Sequence, residues 1–322
     1  MTMPQQSAPV PPPAPGPPEN SATRSHEFTA TGPIDVSVQN VRGAVVLRAE
    51  HGTDVRVELF AHGEAARELA ERMTISFEHD RLVVDAPSDE FGRVGGDLGD
   101  FFRSFGNRDG TPLSDRLADG VRSLVRGAEG LTGALDVTVV VPGGSRAVLV
   151  DGAGEISVHG ALAVLEARTG AGELTIDQGA QERSRLTTGT GDIQVGSAHG
   201  DFVARTGTGG IQVGRAAGFL AATTGTGNVD LREIAGEVSV TTGVGDITVQ
   251  RATSGHFAAR SGLGDVTIHV TPGTATRLEL ATGFGDRDVQ LTPTEGAGEA
   301  ERTLEIEART GKGDLRVLRA EA

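Results

Sequence analysis

The sequence predicts an all-β fold, a β-solenoid of ~18-residue rungs with two strands each, and three observations carry it. A turn of the form small-Gly-x-Gly recurs nine times, beginning at Asp151, Thr169, Thr188, Thr206, Thr224, Thr242, Ser261, Thr282 and Thr310. The steps between copies are 18, 19, 18, 18, 18, 19, 21 and 28 residues. Each turn opens an alternating apolar run, such as Ile193/Val195, Ile211/Val213 and Ile247/Val249, with polar or small residues between. Period-two alternation buries one face of a strand and wets the other. A second alternating strand leads into each next turn, as in Phe202/Ala204, Leu220/Ala222 and Phe257/Ala259.

Taken from the N-terminus, residues 1–25 read as a disordered, polyproline-leaning tail, with eight prolines in the first 18 positions. Residues 26–322 read as one solenoid domain. Residues 26–87 carry short strand patterns at Ile34–Val38, Val45–Leu47, Val55–Leu59, Met73–Phe77 and Leu82–Val84. A helix at Glu64–Arg72 is expected to cap that end. Residues 88–133 interrupt the pattern as a small helical insertion. Thr111 and Pro112 suit the start of a helix, and Leu113, Leu117, Val121 and Leu124 share one face. The strands resume at Leu135–Val141 and Arg146–Val150, separated by the Pro142-Gly143-Gly144 turn.

Within each rung the two inner faces meet in a thin core. Alanine in one inward column lets the walls approach where Phe or Leu fills the other. The paired glycines (Gly189/Gly191, Gly207/Gly209, Gly243/Gly245) are expected to supply positive-φ corners. At ~4.8 Å per strand, nine rungs span roughly 43 Å.

Composition excludes several classes. The 322 residues include no Cys, Trp or Tyr, so there is no disulfide framework, thiolate metal site or cysteine nucleophile. A net charge of −15 argues against a nucleic-acid surface, which needs clustered Lys/Arg. No apolar run reaches the ~18 residues of a spanning helix, and the N-terminus lacks the basic and apolar regions of a secretory signal. The expected location is cytoplasmic, with the cell surface as the alternative.

One column of residues invites chemistry. The position after the second glycine holds Glu155, Glu173, Asp192, Gly210, Asn228, Asp246, Asp265, Asp286 and Asp314. The favoured reading is a structural turn ladder, with Asp192, Asp246, Asp265, Asp286 and Asp314 accepting backbone N–H bonds at their corners. Ca²⁺ binding is the weaker reading. Calcium β-rolls space the Asp one residue further on, and Gly210 and Asn228 interrupt the column here. A polysaccharide-cleaving carboxylate pair fits worst, since the solenoid offers no Trp or Tyr platform and only Lys312 for lysine. Arg168, Arg205, Arg260 and Arg309 precede the turn on the outward face and suit ion pairs with acidic neighbours. No paired histidines, nucleophile elbow or phosphate loop occurs, so no enzyme and no cofactor are expected.

Residues 27–319 resemble the bacterial putative-adhesin β-strand-repeat family, also called toastrack. The likeness rests on the Gly43 to Leu47 strand step, VTVVVPGG at 137–144, DGAGEISVHG at 151–160 and the serial TGxGD units. The resemblance implies a right-handed β-solenoid of bacterial type with no assigned activity, often linked to envelope or stress proteins. The Gly-, Ala- and Arg-rich usage looks like an actinobacterial version. The functional expectation is a non-catalytic scaffold or interaction module for an unknown protein partner. A surface adhesin or glycan-binding protein is the alternative. Phe91, Phe101, Phe102 and Phe105, in the insertion, are the candidate partner contacts. Acidic neighbours weaken a membrane reading of that cluster. Charged Lys312, Arg316, Arg319 and Glu321 at the expected C-terminal end favour a monomer or limited dimer over a filament.

Overall fold

A computed structural model describes residues 21–87, 133–291 and 302–320. The Pro-rich segment to residue 20, Phe91, Phe101, Phe102 and Phe105, and the helix expected over 111–126 lie outside them. In chain order the elements begin with β1 (Ser21–Thr29), β2 (Asp35–Arg42), β3 (Val45–Glu50), β4 (Asp54–His62), α1 (Glu64–Arg72), β5 (Thr74–Glu78) and β6 (Arg81–Asp85). There follow β7 (Ala134–Pro142), β8 (Arg146–Ala153), β9 (Ile156–His159), β10 (Val164–Ala171), β11 (Leu174–Gln178), β12 (Arg183–Thr190), β13 (Ile193–Ala198) and β14 (Asp201–Thr208). The chain continues as β15 (Ile211–Thr226), β16 (Val229–Val244), β17 (Ile247–Leu263), β18 (Val266–Val270), β19 (Thr274–Phe284), β20 (Arg287–Val289), β21 (Arg302–Lys312) and β22 (Leu315–Arg319).

The chain coils as a β-solenoid with two parallel walls. One wall runs β8, β10, β12, β14 and then the C-terminal halves of β15, β16 and β17. The other runs β9, β11, β13 and the N-terminal halves of the same long strands. The predicted inward columns meet between them. Ile193, Ile211, Val229, Ile247 and Val266 are fully buried, as are Phe202, Phe257, Ala204 and Ala259. Burying each large aliphatic or aromatic side chain stabilises by about 1.5–3 kcal/mol. A third inward column, Ala198, Ala216, Ile234, Ala252 and Val270, lies before a second corner. That corner is turned by Gly200, Gly218, Gly236 and Gly255, all at positive φ.

The glycine pair divides its labour. Only the second glycine has positive φ, for example 140° at Gly191 and 142° at Gly209, whereas Gly189, Gly207 and Gly243 do not. In the later rungs the first glycine is needed for space instead: a Cβ on Gly243 would lie 2.5 Å from the carbonyl oxygen of Gly225 in the rung below. A Cβ on Gly209 would lie 2.1 Å from the carbonyl oxygen of Gly191. Beside this stack runs a buried hydroxyl ladder. Thr188 Oγ1 donates to the Gly172 carbonyl (3.0 Å), Thr206 to Gly191 (2.9 Å), Thr224 to Gly209 (2.9 Å) and Thr242 to Gly227 (3.0 Å).

The rungs do not stack in chain order at either end. The C-terminal rung β21–β22 is intercalated: β21 pairs with both β17 and β19, and β22 with both β18 and β20. The exposed end is therefore β19–β20, a correction to the expected end at Lys312, Arg316, Arg319 and Glu321. The inward side chains explain the order. Leu304, Ile306, Ala308, Leu315 and Val317 are buried, whereas the 274–291 rung places Arg287 opposite Leu315 in an inward column. The wholly apolar rung takes the interior, and the rung with a charge takes the edge. Leu278 and Leu280, at the inward positions of β19, are accordingly only half-buried.

At the other end β2–β3 lies between β6–β7 and β8–β9. Antiparallel pairs β1–β4, β4–β7 and β5–β6 complete that end. Helix α1, as predicted at Glu64–Arg72, packs there on β4 and β7 with Ala66 and Ala70 buried. The tail boundary expected at residue 25 falls inside β1, whose Arg24 donates to the carbonyls of Ala70 (2.9 Å) and Met73 (3.2 Å). Phe28 packs against Phe77 with ring centroids 5.3 Å apart.

The hydroxyl ladder gives a direct test. Thr224→Val leaves the Gly209 carbonyl without its donor and is expected to cost about 1–3 kcal/mol in denaturant unfolding. Thr223→Val, on the outward face beside it, is expected to fall within about 0.5 kcal/mol of wild type.

Candidate functional site

Three features of the solenoid gather polar groups, and each has a residue-level cause. On the outer face of the second wall, a groove of about 430 Å³ crosses successive rungs. Its floor is Gly196 and Gly214, at positions where other rungs carry Asp177, Arg232 and Gln250. No side chain fits there, since a Cβ on Gly196 would lie 2.5 Å from the Asp177 carbonyl and one on Gly214 2.4 Å from the Gly196 carbonyl. Around the floor stand Gln194, Gln212, Gln250, Asp230, Arg232 and Asp177. Burial, with the nearby Asp246 charge adding to it, raises the Asp230 carboxyl above the usual range. At the rim His159 Nδ1 lies 2.7 Å from Asp177 Oδ2. Three amides, each donor and acceptor, with carboxylates and a guanidinium, suit a hydrogen-bonding ligand. The glycines at 196 and 214 interrupt an outward polar column, and that interruption is the signal sequence reasoning passed over.

The second feature is the acidic corner. Asp192 Oδ1 accepts the N–H of Gly210 (2.7 Å), Asn228 Oδ1 that of Asp246 (2.9 Å) and Asp246 Oδ1 that of Asp265 (2.8 Å). Asp265 Oδ1 accepts from Asp314 (2.8 Å), and Asp314 Oδ1 from Asp286 (3.0 Å), in the spatial order of the rungs. Asp192, Asp246, Asp265 and Asp314 thus each hold the backbone of the rung stacked on them, whereas Asp286, on the end rung, takes part through its N–H. Arg316 relieves the repulsion, with a nitrogen 3.3 Å from Asp265 Oδ2 and another 2.7 Å from Asp314 Oδ2. Among the described residues, no group of three or more His, Cys, Asp or Glu is placed to hold a metal ion. Of the outward arginines, Arg168 pairs with Glu166 and Arg309 with Glu279 (2.7 Å).

The third feature is buried. Asp151 occupies the ladder position that Thr holds in the following rungs, and its neighbour across the ladder is Asn40. Both are 0% exposed. Asn40 Nδ2 donates to the Leu135 carbonyl (2.9 Å), while Asn40 Oδ1 and both Asp151 carboxyl oxygens lack a well-formed hydrogen bond. Burial pushes the Asp151 carboxyl well above its usual range. Asn40 and the backbone N–H groups of Gly152 and Ala153 lie near enough to offset only part of that, and Asp136 adds to it. The folded chain therefore holds this proton more tightly than the unfolded chain. Its stabilising contribution is complete below the ordinary carboxylate range and is lost as pH rises from there towards the folded-state value. Asp151→Asn is expected to melt with wild type below about pH 4 and above it at about pH 7–8. A wild-type advantage at the higher pH contradicts a raised Asp151 carboxyl.

The chain is similar to known proteins at two levels. No curated protein matches it. Solved structures align over nearly all of the chain at low identity. A putative adhesin from Bacteroides fragilis is 12% identical, covering 92% of this chain and 97% of that one, with a TM-score of 0.39. A putative adhesin from Parabacteroides merdae is 11% identical over 92% and 96%, with a TM-score of 0.36. A putative lipid binding protein from Parabacteroides distasonis is 10% identical over 94% and 98%, with a TM-score of 0.32. The family model described as Toastrack DUF4097 matches residues 145–321, the stretch that contains every turn of the glycine repeat. With more than half its length matched and the repeat stacked as a solenoid, the chain belongs to the Toastrack DUF4097 family.

Proposed function

We propose that this chain is a non-catalytic interaction module that receives an extended polar segment of a protein partner along its outer groove. The observation that carries the reading is the groove itself, in which Gln194, Gln212 and Gln250 offer paired donors and acceptors above a glycine floor. Backbone amides of an extended segment present the complementary donors and acceptors. An adhesin-like role is compatible with the same surface. No helix among the described residues is long and apolar enough to cross a membrane. Phe91, Phe101, Phe102 and Phe105 form a second proposed contact, since they gather four of the 11 phenylalanines into one short stretch.

Affinity recovery from the native lysate, with the full chain as bait, separates the two surfaces. The double variant Gln194→Lys/Gln212→Lys is expected to lose most of the specifically recovered partner while keeping the wild-type melting temperature. Replacing residues 90–130 with a short Gly/Ser linker is expected to retain it. The reverse pattern moves the binding site to the phenylalanine segment. Cell fractionation addresses the wider role: protein found only in the cytosol removes the surface-adhesin alternative.

A further inference from the structure

Among the described residues, the β19–β20 end leaves a sheet edge without a neighbour: β19 pairs only with β21 and β20 only with β22. The edge is also apolar in places: Leu278 and Leu280 are half-buried, Phe284 is 77% exposed and Val289 43%. An edge of this length is a template for another strand. The opposite end carries α1 and terminates in β1 and β5, antiparallel to β4 and β6, so it presents a different edge from the parallel rung β19–β20.

We propose that this end is the seat of a closed two-fold dimer, in which β19 pairs antiparallel with β19 of a second copy about Leu278. Charge selects both the occupant and the register. Arg277 and Glu279 flank Leu278 on the exposed, outward face. With Leu278 opposite Leu278 of the second copy, Arg277 faces Glu279 of that copy and Glu279 faces its Arg277. Centring the pair on Arg277 or Glu279 instead sets like charges against each other, and centring it on Thr276 or Leu280 leaves both charges facing uncharged residues. In the chosen register Arg277 lies between Glu279 of the second copy and Glu305 of its own chain, 3.5 Å away. Glu279 keeps its own-chain partner Arg309 at 2.7 Å.

The same end limits growth. Arg287 stands at an inward position and donates to the Leu280 carbonyl at 3.3 Å, which disfavours continued stacking of rungs on the core. An isologous pair consumes the β19 edge of both copies and closes as a dimer at this end.

Sedimentation of the full chain over a range of concentrations tests the proposal. Wild type is expected to show a monomer–dimer equilibrium. Arg277→Glu and Glu279→Arg are each expected to weaken it at least tenfold, and the double exchange to restore it to within a few-fold. The double exchange sets a carboxylate at position 277 beside Glu305, so the restored association reads the junction alone. Melting temperatures of all variants are expected to stay near wild type, because exposed ion pairs contribute little. A register check uses the absence of cysteine: Ala275→Cys chains mixed with Ala281→Cys chains are expected to form a disulfide-linked pair under mild oxidation. A monomer at every concentration, assemblies larger than a dimer, or charge exchanges without effect overturn the proposal. So does a dimer that depends on residues 90–130 and ignores the exchanges.

Discussion

The structure depends on how closely one rung can sit on the next at the glycine corner. At Gly172, Gly191, Gly209, Gly227 and Gly245 the backbone takes positive φ, and a Cβ would lie 1.9–2.1 Å from the carbonyl oxygen of the glycine below. No side chain is compatible with that spacing. Once the corner is fixed, neighbouring groups fall into line: the Thr hydroxyl reaches the same carbonyl, and the Asp carboxylate reaches the next rung's N–H. The apolar columns are thereby held in register, and they supply the hydrophobic stabilisation that no rung could generate alone.

Much of this was legible in the sequence, because period and alternation report directly on which side chains face inward. The columns around Ile211/Val213 and Phe202/Ala204 and the bounds of α1 were all readable. Stacking order was not. A repeat gives the register within a rung but leaves open which rung lies on which, and here the last rung slips between its two predecessors. The clue was chemical: Arg287 occupies a position that needs an apolar residue, and a charge there belongs at an edge. β1 was hidden because Ser21–Ser25 continue a polar stretch, and its anchoring by Arg24 to the end of α1 is a tertiary effect. The second corner column, Gly200 to Gly255, escaped because each rung carries a single glycine there, without the paired-glycine turn that marks the first corner.

Individuality in a repeat structure lies where the repeat is broken. Gly196 and Gly214 hollow the outer wall and leave polar groups around the depression. Asp151 and Asn40 replace the hydroxyl ladder near the first rung with a buried pair in which burial raises the carboxyl. The terminal rung carries Arg277, Glu279 and Arg287 where its predecessors carry matched or inward apolar residues. Each departure alters a local interaction without changing the corner, so the fold tolerates all three.

The corner is therefore the element to perturb. Gly209→Ala places a Cβ both at φ 142° and against the Gly191 carbonyl. Gly32→Ala provides the reference, since a Cβ there meets nothing within 4 Å. Strain at a glycine-only conformation and overpacking together are expected to cost about 3 kcal/mol or more in denaturant unfolding of Gly209→Ala, against about 0.5 kcal/mol or less for Gly32→Ala. Equal midpoints for the two variants contradict the claim that the glycine stack sets the solenoid.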